Sequence, residues 1–270
     1  MPDPEERDRA YAATRAHVSA ETRERAEQVR QVDATDQRSY STEVPRFLEM
    51  RADLDRRWPA ERKPAADRPA DPPGFADAVS RVREAEPGVS ADTQAIEQEN
   101  KDKHGGWLEG FEEHRLKGEG RLKEKIAERL EGEPGKSPTE ILHKIPDAIR
   151  YTFCFQPDNY TRGYYDIKER FESRGHEMGF SHNWWTNPEY KGVNTRWVSP
   201  EGQRFEVQFH TPESFHAKHH VTHAAYERIR DPTTSRAERR ELHAFQREVS
   251  SWIQVPDGAA DIPDYRKEGF

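Results

Sequence analysis

Cysteine is nearly missing from this 270-residue chain. Cys154 stands alone, so no intrachain disulfide can form, and the usage fits a reducing compartment. No apolar run approaches the length of a membrane span. The opening Met1-Pro-Asp-Pro-Glu-Glu lacks the basic-then-apolar order of a cleavable secretory signal. The expected location is the cytoplasm, or a target cell's cytoplasm reached by a route without cleavage, with no membrane partner. Apolar residues are also scarce, 32% against 35% charged, so a compact core cannot extend over the whole length. Positive charge is in deficit: the formal net charge of −8 argues against a general nucleic-acid-coating protein, although it leaves room for a local basic pocket. There is no internal repeat.

What is present divides at a proline-rich stretch. Residues 5–32 are rich in Ala, Arg, Glu and Gln, which favours helix with only a thin apolar stripe. Phe47, Met50, Leu54 and Trp58 fall at helical spacing and make a better buried face. Pro59, Pro64, Pro69, Pro72 and Pro73 then mark a semi-rigid linker. The expected organisation is a helical extension at 1–58, a linker at 59–74 and a main domain at 75–270. In that domain, helical patterns cover 75–86 and 92–103, and a longer helical stretch runs over 107–130. A short helix follows at 139–144. The texture then changes: 149–155, 178–186, 192–198 and 204–209 read as strands, with helices at 164–173, 213–230 and 235–253. Pro200-Glu-Gly202 makes the last two strands a hairpin. Helices flanking a mixed, largely antiparallel sheet of about five strands give an α/β (α+β) fold class.

Several short elements carry chemistry. Between Arg115 and Arg129 lie six basic residues (Arg115, Lys117, Arg121, Lys123, Lys125, Arg129) and three acidic ones. Arg can fork around a phosphate and Lys can follow it as a mobile charge. Gly118 and Gly120 let backbone approach a ligand. The plainer alternative is a solvated helix face with charge pairs one turn apart. Asp147, just after Ile145-Pro146, opens a strand beside that basic segment; by itself it also suits a turn or cap. In Phe205-Glu-Val-Gln-Phe209, alternation puts Phe205, Val207 and Phe209 on one face and Glu206, Gln208 and His210 on the other. Asp147 and Glu206 could together supply the carboxylates that magnesium takes alongside substrate phosphates. His216, His219, His220 and His223 share a helix face. That arrangement suits zinc, but no Cys or carboxylate completes the set, and hydrogen-bonding roles beside a phosphate site are the simpler use. Trp184, Trp185 and Trp197 are expected in core or pocket wall.

Taken in order, these elements resemble the synthetase domain of the RelA/SpoT family, makers of hyperphosphorylated nucleotide alarmones. Arg115, Lys117 and Lys125 are similar to the family's Arg-x-Lys pair and following Lys that grip donor ATP. Asp147 matches its metal-binding Asp. Tyr190-Lys-Gly-Val-Asn194 matches the segment whose Tyr stacks on the acceptor base, with Asn194 where the family has His. Glu206 to Thr211 matches the strand bearing the second acid, with His210 where the family has Arg, and His223 and Tyr226 match a His and Tyr on the next helix. The resemblance covers residues 107–230, and its wording is nearest to the branch found in bacterial and phage toxins. Nothing resembles the family's hydrolase domain.

The resemblance implies a nucleotidyltransferase-like fold and a Mg²⁺-dependent transfer of the β,γ-diphosphate of ATP to a ribose 3′-hydroxyl. Arg115, Lys117, Arg121 and Lys125 would hold the donor. Tyr190, Asn194, Gln208, His210 and His223 would face the acceptor or its phosphates. Asp147 and Glu206 would hold the metal, and Glu206 would take the hydroxyl proton. The acceptor stays open between adenine nucleotides, guanine nucleotides and the tRNA 3′ end. In a toxin, a neutralising antitoxin or immunity protein would be a further partner. A non-catalytic nucleotide sensor and a metal-dependent nuclease using the histidine helix are the competing classes.

Overall fold

The computed structural model describes residues 39–59, 71, 73–268 and 270. The chain divides into Met1–Ser39 and Tyr40–Phe270, and the second unit carries every described residue except Ser39. The helical propensity at 5–32 and most of the proline-rich stretch lie outside the described residues.

The elements of this unit follow in order. Helix α1 (Tyr40–Arg57) is followed by the long α2 (Phe75–His104). Next come β1 (Trp107–Leu108), the single turn α3 (Phe111–His114), α4 (Glu119–Gly132) and α5 (Pro138–His143). Strand β2 (Arg150–Cys154) leads into α6 (Tyr160–Ser173), then β3 (Glu177–Asn183), β4 (Val193–Val198) and β5 (Arg204–His210). Helix α7 (Pro212–His216) runs through a wider π-helical turn (Ala217–Thr222) into α8 (His223–Arg230). Helix α9 (Arg236–Ser251) and the short β6 (Tyr265–Arg266) complete the unit.

Six strands form one sheet in the order β1-β2-β5-β4-β3-β6. Every neighbouring pair is antiparallel except β2 and β5, which run parallel with Arg150 opposite Glu206 and Thr152 opposite Gln208. The fold is therefore the mixed, mostly antiparallel sheet with flanking helices that the alternation predicts. The two strands beyond those read from the sequence, β1 and β6, are only two residues long, too short for periodicity to register. The interior is aromatic. Phe153, Phe171, Trp197, Phe205 and Phe209 are fully buried, and Phe153 stacks on Phe209 at 6.0 Å between centroids. On β5, Phe205, Val207 and Phe209 point inward, as expected, leaving Glu206 partly exposed on the other face.

Three expectations change. Helix α2 is one 30-residue helix with Pro87 inside it, instead of two helices at 75–86 and 92–103. Its buried face continues through Val82, Glu86, Val89, Thr93 and Ile96, so packing carries the helix across the missing proline donor. The helical stretch at 107–130 is broken. Gly105 and Gly110 take left-handed φ of 67° and 60°, Arg115 caps the single turn α3 with helical dihedrals, and the chain then leaves the helix at Leu116 and Lys117. Leu116 bridges Ile149, the Lys117 N–H donates to the Ala148 carbonyl (3.0 Å), and the Arg150 N–H donates to the Arg115 carbonyl (3.0 Å). Asp147 also differs slightly, lying in a 3₁₀ turn (Pro146–Ala148) just ahead of β2 instead of in the strand itself.

Helix α1 is built into this unit. Tyr40, Phe47 and Leu54 are buried in the shared core. The Tyr40 hydroxyl meets His216 Nδ1 at 2.9 Å, Arg46 pairs with Glu248 of α9 at 2.5 Å, and Arg51 donates to the His220 carbonyl at 2.7 Å. No described helix is long and apolar enough to cross a membrane. Replacing Phe47, 0% exposed, by Ala leaves a cavity, and the expected cost is about 3–5 kcal/mol. Urea unfolding followed by far-ultraviolet circular dichroism should show that loss in a single transition, whereas a detached helix would leave the midpoint unchanged.

Candidate active site

Two clusters of polar side chains meet across the β2–β5 pairing. The first is built on Asp147. The bridge of Leu116 to Ile149 carries Lys117 in from one side, and helix α4 carries Lys125 from another. Lys117 Nζ lies 2.9 Å and Lys125 Nζ 2.6 Å from the same oxygen, Asp147 Oδ2. Burial works against charge on Asp147, but the two ammonium groups outweigh it and hold the carboxyl down at about 2. Burial also lowers Lys117, against the pull of Asp147, because one carboxylate is shared between two cations.

The second cluster is built on β5. Gln208 Nε2 donates to Glu206 Oε2 at 3.1 Å, and Gln208 Oε1 accepts from Lys218 Nζ on the π-helical turn. The Tyr190 hydroxyl donates to Asn194 Oδ1 (2.9 Å) and lies 3.1 Å from His210 Nε2. On its other side the His210 ring meets the Ser214 hydroxyl, with Nδ1 2.9 Å from that oxygen. Burial keeps His210 well below its ordinary range, and therefore neutral. Burial likewise pushes the Tyr190 hydroxyl up, and the nearby Glu206 charge adds to it, so it remains protonated. Asn194 and His210, the two departures from the RelA/SpoT pattern, thus hold the same hydroxyl. They fix the ring of Tyr190, whose edge faces Trp184 and His210. Gly192 makes this approach possible. Its φ is 149°, and a Cβ there would lie 2.9 Å from both His210 Cε1 and the Phe209 carbonyl oxygen.

Arg150 joins the clusters. It faces Glu206 across the parallel pair, and its charge acts on Lys117 on one side and on Tyr190, His210 and Lys218 on the other. Its Nε is buried with no hydrogen-bond partner, a donor available to a ligand. Lys218 is lowered to about 7, first by burial and then by Arg150, with Glu206 opposing. Neither residue was singled out from the sequence. An Arg three residues after Asp147 within an apolar strand was a legible signal. Lys218 had none, because only the wider π turn and the strand facing it bring it to Gln208.

The remaining expected residues are less concentrated. Arg115 pairs with Glu112 (2.7 Å) and Glu86 (3.4 Å) and lies over the Phe111 ring, at the C-terminal cap of α3, two residues before Lys117. Arg121 is exposed and pairs with Glu124 and Glu227 at 3.2 and 3.3 Å, away from Asp147. His223 is exposed, and Tyr226 lies 47% exposed with Arg230 over its ring. The histidines of the α7–α8 helix do not share one centre: His216 meets Tyr40 and lies 5.0 Å from the His220 ring, while His219 stacks on His114 and on Phe215. Among the described residues, no three His, Cys, Asp or Glu side chains gather as a metal site. For magnesium the relevant set is smaller, two carboxylates plus substrate phosphates. The Glu206 N–H donates to the Ile149 carbonyl at 2.9 Å, two residues after Asp147, so the two acids stand on adjoining backbone. Asp147 already holds two cationic groups, which fits a position built to bind positive charge.

No protein-family model matches the chain, and no curated protein matches it. Among solved structures it is similar to the type VI effector Tas1 in complex with its immunity protein, at 20% identity and a TM-score of 0.45, over 68% of this chain and 96% of that one. It is also similar to small alarmone synthetase 1 from Bacillus subtilis, at 14% identity and a TM-score of 0.45, over 66% and 91% of the two chains. A GTP pyrophosphokinase family protein from Streptococcus pneumoniae is similar at 14% identity and a TM-score of 0.40, over 64% and 84%.

Two outcomes follow from the geometry. Gly192→Ala should cost about 1–3 kcal/mol through backbone strain and the clash with His210, read as a lowered denaturation midpoint. Lys218 is protonated up to about 7 when folded but up to its ordinary 10.5 when unfolded. The penalty for burying it is therefore full below pH 7 and shrinks as pH rises from 7 towards 10.5. Lys218→Met should raise the melting temperature more at pH 6 than at pH 9, and equal shifts at both would contradict the assignment.

Proposed function

We propose that this chain transfers the β,γ-diphosphate of ATP to the ribose 3′-hydroxyl of a purine nucleotide. The observation that carries this reading is the meeting of Lys117 and Lys125 on Asp147, one strand from the Glu206, Gln208 and Lys218 group, with Arg150 between them. That layout supports two adjoining sites, one for a triphosphate and one for a hydroxyl acceptor. When the triphosphate enters, Lys117 and Lys125 exchange the Asp147 carboxylate for phosphate oxygens, and Arg150 turns its free donor toward them. Asp147 and Glu206 are the residues that would hold Mg²⁺, which neutralises charge on the phosphates and on the leaving AMP.

Tyr190 offers a ring face to the acceptor base, held in orientation by Asn194 and His210. The acceptor's 3′-oxygen attacks the β-phosphorus and the bond from that phosphorus to the α,β-bridging oxygen breaks. AMP departs with the electron pair, and the hydroxyl proton passes to the Glu206 carboxylate. Gln208 orients that carboxylate through its 3.1 Å hydrogen bond. Lys218, close to neutrality at pH 7, supplies positive charge beside the acceptor without fixing Glu206 in a permanent ion pair. Most of the acceleration comes from alignment and charge neutralisation.

The test is incubation with ATP, Mg²⁺ and, separately, AMP, ADP, GDP or tRNA, followed by mass spectrometry. The expected result is AMP release with an acceptor heavier by one diphosphate group. A pyrophosphorylated tRNA end would move the acceptor to RNA, and RNA fragments would favour nuclease chemistry. Glu206→Gln should lose on the order of 10²–10³ in turnover or more while keeping its melting temperature. Wild-type turnover in that variant would overturn the role given to Glu206.

A further inference from the structure

A second concentration of positive charge lies outside the groups just described. An open cleft of about 670 Å³ is lined by Arg129 of α4, His143 of α5, Lys136 and Lys144 of the neighbouring loops, and Arg196 and Arg204 of the β4–β5 hairpin. None of Asp147, Glu206, Lys117, Lys125, Tyr190 or Gln208 lines it. Two of the lysines are compensated, Lys136 by Glu140 at 3.1 Å and Lys144 by Glu133. The three arginines have no carboxylate partner among the described residues. Arg129 donates only to the Lys144 carbonyl (3.2 Å), Arg196 lies 4.6 Å over the Phe180 ring, and Arg204 lies 4.5 Å over the Phe270 ring. Arg204 Nε is buried without a hydrogen-bond partner.

In a chain of net charge −8, three arginines facing one cleft whose lining acid, Glu140, is held by Lys136 and the Ser137 N–H is an uneven distribution with an electrostatic cost. Stacking on aromatic rings holds Arg196 and Arg204 in place while leaving their forked donors unspent, an arrangement suited to phosphate oxygens. The volume falls within the range for nucleotide-sized ligands. We propose that this cleft is a separate binding site for a small polyphosphate, either inorganic or the phosphate tail of a nucleotide, gripped by Arg129, Arg196 and Arg204. Arg196 stands directly opposite Glu206 in the β4–β5 register, so an occupant would lie one strand from that acid. The site does not depend on the transfer reaction, and its test needs no turnover.

The test is calorimetric titration of the purified chain with inorganic tripolyphosphate in EDTA at constant ionic strength. Arg196→Gln, an exposed position, and the pair Arg196→Gln with Arg204→Gln are compared with Lys117→Gln/Lys125→Gln, with circular dichroism checking the fold of each. The arginine variants are expected to weaken binding about tenfold or more, and the lysine pair to leave the same site intact. A tenfold excess of sulfate should not displace the ligand, and adenosine triphosphate should. Unchanged affinity in Arg196→Gln, loss confined to the lysine pair, or displacement by sulfate would each overturn the proposal. So would a short RNA that binds through the same arginines and is not displaced by tripolyphosphate.

Discussion

The parallel pairing of β2 with β5 is the constraint on which the site rests. Parallel neighbours cannot be joined by a tight turn, so α6, β3 and β4 intervene and the pairing is wholly non-local. Its register sets Arg150 beside Glu206 and Thr152 beside Gln208. The 115–117 segment adds to the edge near Ile149, and the turn holding Asp147 leads directly into β2. A slip of one residue between β2 and β5 would send Glu206, Gln208 and His210 into an aromatic core and bring Phe205, Val207 and Phe209 to the surface. The hydrophobic face therefore enforces the register that the polar face uses.

The polar face keeps its charge through paired and opposed effects. Desolvation acts against the ionised groups there, yet Asp147 stays ionised because two ammonium groups share it, while Lys218 drifts toward neutrality because burial, with Arg150 adding to it, outweighs Glu206. The result is a graded site. A firmly charged cradle lies around Asp147, and a set of neutral or nearly neutral donors lies around Tyr190, His210 and Lys218. Such a gradient suits a highly charged phosphate chain on one side and a neutral hydroxyl and base on the other.

Support comes from elements remote in sequence. The π-helical turn exposes Lys218 to Gln208 and turns His219 against His114. Helix α1 braces that turn through Tyr40 and Arg51, which reach His216 and the His220 carbonyl. The packing of α1 is thus coupled to the placement of Lys218, and Tyr40–Arg57 belongs to the same unit as the site.

Local periodicity determined much of this protein. Alternation in Phe205–Phe209 assigned inward and outward faces correctly. The spacing of Lys117, Lys125 and Asp147 marked groups that do meet. Tyr190, Asn194 and His210 also converge, although the sequence did not show that the last two hold the first. Tertiary structure alone decided the rest. It broke the helix at Leu116 and Lys117 where charge-rich composition read as helix, because backbone bonds to 148–150 outweigh local propensity. It placed Arg150 at the centre, separated Arg121 from Asp147, kept α2 continuous through Pro87, and carried Lys218 to Gln208. These outcomes depend on strands and helices satisfying one another's hydrogen bonds and burying one another's faces, which local periodicity along the chain does not encode.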